Sequence, residues 1–148
     1  MKINEILESV KSGKISTSSA KKLLTLYSIE EVENFAKIDI NRSKRRGVPE
    51  VIFAETKELE DIKKIIKKTL DKTNSVIVSR IKKDDYKKIM LFAKKLKVKI
   101  ETGKNSSSIL LFKKPIKFQG GKIGIMTAGT SDIGVAEEAR LMCKAMNC

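Results

Sequence analysis

Between residues 58 and 112 a helical periodicity alternates with short strand-like runs, and that alternation restricts the chain to a mixed α/β fold. In 58–71 the residues Leu59, Ile62, Ile65, Ile66 and Leu70 recur at three- and four-residue spacing, with Lys63, Lys64, Lys67 and Lys68 between them. This is one apolar helical face with a solvated lysine side. The pattern repeats in 84–96, where Ile89, Phe92, Ala93 and Leu96 point inward and Lys87, Lys88, Lys94 and Lys95 outward. Runs rich in β-branched and aliphatic residues at 75–80, 97–101 and 109–112 are the expected strands. The turn formers of 102–108 join the last two as a hairpin-type connection.

On the amino-terminal side, residues 3–12 and 18–27 predict two short amphipathic helices, with the Ser16, Thr17 and Ser18 hydroxyls available as N-caps. Extended segments at 35–40 and 50–54 follow, either side of a polar loop bearing arginines. Beyond the strand at 109–112, Pro115, Gln119 and the pair Gly120 and Gly121 interrupt all periodicity. Residues 122–126 then read as a buried strand, 127–132 as a small-residue turn and 135–146 as a helix. The expected organisation is a helical preface and α/β domain over 1–113, a linker over 114–121, and the first β–α unit of a second, incomplete domain over 122–148. One β–α unit cannot bury both faces of its strand, so oligomerisation or an incomplete domain is expected there.

Composition removes several classes. The net charge of +14 suggests nucleic acid, but +9 of it lies in 57–99, on the solvent sides of the two predicted helices. Twenty-seven lysines stand against five arginines, whereas base and phosphate recognition leans on the arginine fork. A lysine-coated surface is the better reading, and no nucleic-acid partner is expected. No stretch approaches the roughly 18 apolar residues of a membrane span, and the first residues alternate charge with apolar side chains, unlike a signal peptide, so a cytoplasmic location is expected. The two cysteines, Cys143 and Cys148, form no CxxC pair, and histidine is absent. No metal site is expected, and any chemistry rests on Asp, Glu, Lys, Arg, Ser, Thr or Cys.

Two motifs carry functional information. In Asp39-x-x-Arg42-x-x-Arg45-x-Gly47-x-Pro49-Glu50, two arginines three apart can present forked donors to a phosphate or carboxylate. Equally, Asp39 and Glu50 can satisfy Arg42 and Arg45 as an ion-pair cluster. In 127–132 the small residue Gly129 and the hydroxyls of Thr130 and Ser131 precede a helix, the arrangement of an anion site. Asp132 is either part of that site or simply the helix N-cap. Glu137 and Glu138, about a turn and a half on, either face a substrate or complement the helix N-terminus.

Taken in order, Asp-x-x-Arg-x-x-Arg-x-Gly-x-Pro-Glu and Thr-Ala-Gly-Thr-Ser-Asp-x-x-Val-Ala-Glu-Glu-Ala resemble the LarB-type pyridinium-3,5-biscarboxylic acid mononucleotide synthases, a PurE-like group. The resemblance runs from the first helix to the last residue. It implies an enzyme of nickel-pincer nucleotide biosynthesis that carboxylates the pyridinium ring of nicotinic acid adenine dinucleotide and cleaves its phosphoanhydride, releasing AMP. It also implies a flavodoxin-like parallel sheet for the second domain, homo-oligomeric assembly of the intact protein, no tightly bound cofactor and room for Mg2+, with the dinucleotide and carbon dioxide or bicarbonate as substrates. Carried over residue by residue, it makes Gly129, Thr130, Ser131 and Asp132 ligand-loop positions and Arg42 and Arg45, with Glu50, the amino-terminal signature. Glu137 and Glu138 become acidic residues facing the site and its candidate catalytic groups. Family members continue past the position of Cys148 through a segment that bears their nucleophilic cysteine, so this chain is expected to be catalytically incompetent alone. The alternative from another class is a stand-alone nucleotide- or phosphate-binding module.

Overall fold

The computed structural model describes residues 3–26, 29–32, 36–39, 48–118 and 120–148. The chain forms two compact units, Met1–Asn41 and Arg42–Cys148.

The smaller unit holds α1 (Ile3–Lys11), α2 (Thr17–Leu26) and an antiparallel pair, β1 (Ile29–Val32) with β2 (Ala36–Asp39). Helix α1 stops where Gly13 adopts φ +71, and the amides of Gly13 and Lys14 bond back to Val10 and Ser9. That is the hydrogen-bond pattern of a Schellman ending, with glycine in the left-handed position. Ser16 opens α2, its Oγ accepting the Ser19 amide at 3.1 Å. The two helices agree with the sequence reading to within a residue. Strand β1 was not expected, and β2 pairs with it.

The larger unit is built on a four-stranded sheet of β3 (Glu50–Phe53), β4 (Ser75–Ser79), β5 (Lys99–Thr102) and β6 (Ile109–Phe112), in the order β3-β4-β6-β5. Strands β3 and β4 are parallel and joined through α3 (Leu59–Lys72); β6 is antiparallel to both β4 and β5. Helix α4 (Lys83–Lys95) connects β4 to β5. Acidic first turns (Glu60 and Asp61; Asp84 and Asp85) and basic last turns complement the dipoles of α3 and α4. Their apolar stripes, Ile62, Ile65, Ile66 and Leu70 in α3 and Ile89 and Ala93 in α4, are buried.

Strand β6 is buried along its whole length and β4 for all but its first residue. Alternation along a strand therefore sends apolar side chains to both faces. Helix α5 (Ile133–Ala145) covers the face of Ile77, Leu110 and Phe112, inserting the fully buried Leu141 among them, with Met142 and Ala145 packed alongside. Val76, Val78, Ile109 and Leu111 point the other way, to the side of α3 and α4. The α/β class read from the sequence is thus realised as a three-layer unit.

One expected element is absent. Residues 122–126 form no strand, and Ile123, Ile125 and Met126 are exposed, Met126 at 96%. A strand is stabilised by its ladder partner, and no described residue pairs with this segment. The preceding residues are anchored at their start: Asn74 donates from Nδ2 to the Lys114 carbonyl at 3.0 Å and accepts the Lys114 amide on Oδ1 at 2.9 Å. Helix α5 lies in the same compact unit as the sheet, and the division between units falls at Asn41 and Arg42.

Because Leu141 joins α5 to the sheet, Leu141→Ala removes about 3 kcal/mol of stability. Leu91→Ala, at a position 60% exposed, changes it by less than about 0.5 kcal/mol. Urea unfolding of the two variants measures both.

Candidate functional site

Helix α5 runs antiparallel to β4. Its later residues Met142 and Ala145 pack near Phe112, which pairs with the first residue of β4, and its earlier residue Glu138 reaches Ser79, the last. The head of α5 therefore lies over the carboxyl ends of the parallel strands β3 and β4, where open α/β sheets bind ligands. Glu138 accepts hydrogen bonds from Ser79 Oγ at 2.7 Å and Ser108 Oγ at 2.9 Å. Both serines are buried, so the carboxylate and the two hydroxyls satisfy one another away from water.

Glu137 accepts the Arg140 Nε hydrogen at 2.9 Å, and Arg140 Nη1 donates to Glu101 Oε1 at 2.7 Å. Arg140 Nη2 donates to the Thr102 carbonyl at 3.1 Å, and Lys144 pairs with the second oxygen of Glu101. Burial alone raises the Glu101 carboxyl, but the hydrogen bonds from Lys144 and Arg140 outweigh it and hold the pKa below the ordinary 4.5. Two glycines set the spacing. A Cβ on Gly103 would lie 2.6 Å from Glu137 Cβ, and one on Gly134 would lie 2.6 Å from the Asn105 carbonyl oxygen. Only hydrogen fits at either place, so Gly134 meets the Asn105 backbone directly and Gly103 lies against the Glu137 side chain.

The 127–132 loop leads into this docked helix with Gly129, Thr130, Ser131 and Asp132 all exposed. Gly129 has φ +104, a conformation costly for any residue with a side chain. Asp132 occupies the N-cap position, but its backbone is helical (φ −89, ψ −7) and its side chain makes no cap bond. Its Oδ1 instead accepts the Ser131 hydroxyl at 3.4 Å. Glu50 opens β3, at the opposite end of that strand from Phe53, roughly 10 Å away. The structure therefore does not bring Glu50 to Glu138. Arg42 and Arg45 lie outside the described residues.

The family model for the LarB/PurE-like N-terminal domain matches residues 29–105. The chain belongs to this family. An uncharacterized protein of Methanocaldococcus jannaschii, MJ0165, is 35% identical over 142 residues, which are 93% of this chain and 55% of the relative. The chain thus spans about half the length of that relative.

The site holds further residues outside the two motifs. Ser79, Ser108 and Glu101 fix α5, yet each is unremarkable in sequence. At the end of β4, Arg80 adopts φ +52 and places its guanidinium 4.6 Å from the Phe53 ring centroid, with Nη1 donating to Glu55 at 3.2 Å. A non-glycine residue held there stores strain of the kind found beside functional sites. A phenylalanine 42% exposed next to it was the visible signal.

Two outcomes follow from this docking. Gly134→Ala forces the head of α5 off Asn105 and costs about 1–3 kcal/mol, read by urea unfolding. Since the Glu101 pKa is lowered on folding, its contribution is present in full above 4.5 and lost as pH falls through the folded value. The Tm difference between the native chain and Glu101→Gln is therefore expected at pH 7 and narrows below 4.5.

Proposed function

We propose that this chain is the amino-terminal part of a PurE-like carboxylase that acts on a pyridinium dinucleotide in building the nickel-pincer nucleotide. The observation that carries the reading is the LarB/PurE-like match over residues 29–105, read with the position of the head of α5 over the carboxyl ends of β3 and β4. In this role Gly129 lets the backbone approach a phosphate closely, and Thr130 and Ser131 supply hydroxyl donors. The Ser131 hydroxyl, which donates to Asp132 Oδ1 at 3.4 Å, turns from that carboxylate to a phosphate oxygen on binding. Arg42 and Arg45 hold a second phosphate or a carboxylate of the substrate.

Glu138 and Glu137 position the loop rather than move protons, because their carboxylates are engaged by Ser79, Ser108 and Arg140. Carboxylating an electron-poor pyridinium ring needs a nucleophile to add to it first. Cys143 lies ten residues beyond the first residue of α5, about 15 Å along the helix, and the Cys148 amide bonds back to the Cys143 carbonyl at 3.0 Å, at that same far end. Neither thiol reaches a ligand at the loop, so the nucleophile comes from outside these 148 residues. Among the described residues no group of three or more Cys, Asp or Glu side chains is placed to hold a metal ion. In this reading Mg2+ accompanies the phosphates of the dinucleotide, and no step here passes through it.

Calorimetric titration tests the reading. Nicotinic acid adenine dinucleotide is expected to bind at least about tenfold tighter than ADP-ribose, which lacks the pyridinium ring, without release of AMP in the presence of bicarbonate and Mg2+. Thr130→Ala with Ser131→Ala weakens the dinucleotide by about tenfold, the loss of two hydrogen bonds. Equal affinity for both compounds sinks the pyridinium reading in favour of a general phosphate-binding module, and AMP release overturns the claim that the nucleophile lies elsewhere.

A further inference from the structure

A second concave site lies apart from the 127–132 loop. Between the first turns of α4 and the 103–107 turn runs a cleft of about 520 Å3, floored by Ile81 and lined by Lys83, Tyr86, Lys87, Asn105 and Ser107. Both of its walls depend on left-handed residues. Arg80, at φ +52, turns the chain so that Ile81 is buried and its amide bonds to the Ser107 carbonyl at 2.9 Å; Asn105, at φ +55, shapes the facing turn. Gly134 of α5 presses on the carbonyl of Asn105 and so backs that wall.

The polar groups here are unspent. Lys83, Tyr86 and Lys87 share one face of α4, at i, i+3 and i+4. Two ammonium groups at i and i+4 repel and weaken a helix unless an anion lies between them. Among the described residues neither lysine has a carboxylate within 4 Å: Asp85 is taken by Lys88 at 3.1 Å, and Asp84, three residues before Lys87 on the helix, forms no ion pair with it. The Tyr86 hydroxyl likewise has no hydrogen-bond partner among the described residues. Partial burial raises its pKa, so it remains a donor at neutral pH. Ile81 and the Tyr86 ring supply the apolar surface of the cleft, as ligand sites usually combine a few convergent polar groups with an apolar lining.

We propose that this cleft binds a phosphate monoester carried on a ring-bearing body, the chemistry of a mononucleotide. Two lysines match the two charges of a monoester better than the single charge of a carboxylate. The Tyr86, Asn105 and Ser107 side chains donate to the remaining oxygens, and the ring or sugar lies on Ile81 and Tyr86. The site is separate from the pyridinium-dinucleotide reading above and stands or falls independently of it.

AMP is the probe, titrated calorimetrically into the 148-residue chain beside adenosine and inorganic phosphate. One AMP per chain is expected, bound more tightly than either fragment. Lys83→Gln with Lys87→Gln, both exposed and so compatible with folding, weakens AMP by about tenfold or more and leaves adenosine unaffected. Tyr86→Phe weakens AMP by about threefold. Lys94→Gln with Lys95→Gln, at the far end of the same helix, leaves it unchanged. AMP affinity that survives the Lys83 and Lys87 changes, or that falls equally with Lys94 and Lys95, overturns the proposal. Loss of AMP binding only in the Thr130 and Ser131 variant moves the phosphate to the loop and also overturns it.

Discussion

Strands β4 and β6 are apolar on both faces, and the larger unit is arranged around covering them twice. A strand with one polar face can leave that face in water, but Leu110 and Leu111 are fully buried on opposite faces of β6. Helices α3 and α4 follow directly from the β–α connections and cover one side. Nothing between β3 and β6 in sequence remains to cover the other, so α5 must return across the sheet, and only an antiparallel course sets Leu141 among Ile77, Leu110 and Phe112 while Glu138 reaches Ser79. The position of the 127–132 loop is thus a consequence of packing. The loop lies over the carboxyl ends of β3 and β4 because the helix it precedes is needed as a lid on the sheet.

Apolar burial holds α5 to the sheet, and polar contacts decide how it is set. Ion pairs as exposed as those of Arg140 and Lys144 are individually worth about 0–1 kcal/mol, well below what Leu141 contributes. Their geometry is nonetheless specific. Glu101 meets two cations one helical turn apart, so a rotation of α5 that still buried Leu141 would part at least one of them. At the other end, the apolar run of β4 gives way to Ser79, and a partly buried carboxylate there needs donors. Ser79 and Ser108 provide one for each oxygen. Gly103 and Gly134 then fix the distance, since neither contact tolerates a methyl group.

The elements between 58 and 112 were legible because helical and strand patterns differ within a few residues, and the observed ends depart from the expected ones by one or two positions. The failures share a cause. Strand β1 reads Ile-Glu-Glu-Val, without alternation, and exists through its pairing with β2. Residues 122–126 do have the apolar character of a strand, yet a ladder needs a partner that no local pattern reveals. The candidate site suffered similarly. Glu137 and Glu138 stand out in sequence as a pair beside a glycine loop, but the partners of Glu138, Ser79 and Ser108, lie 59 and 30 residues away from it. Spacing alone could not separate a carboxylate aimed at a ligand from one that docks a helix. The backbone at Asp132 posed the same problem, for an N-cap residue is recognisable by type while its helical φ and ψ are not.

The exposed run ahead of the loop bears on how such a site could act. Phe118, Ile123, Ile125 and Met126 leave apolar surface in water just before residues 127–132, and contiguous surface of this kind is characteristic of an interface. The loop itself is open to solvent, where its backbone and hydroxyl donors compete with water and a bound anion gains little. Any strand that paired with 122–126 would bury Ile123 and Ile125, and because 127–132 follows without a break, the same strand would end beside the loop and screen it from water. The two deficits therefore have one remedy. A partner strand would both satisfy an unpaired, apolar segment and lower the dielectric around the exposed loop that this segment leads into.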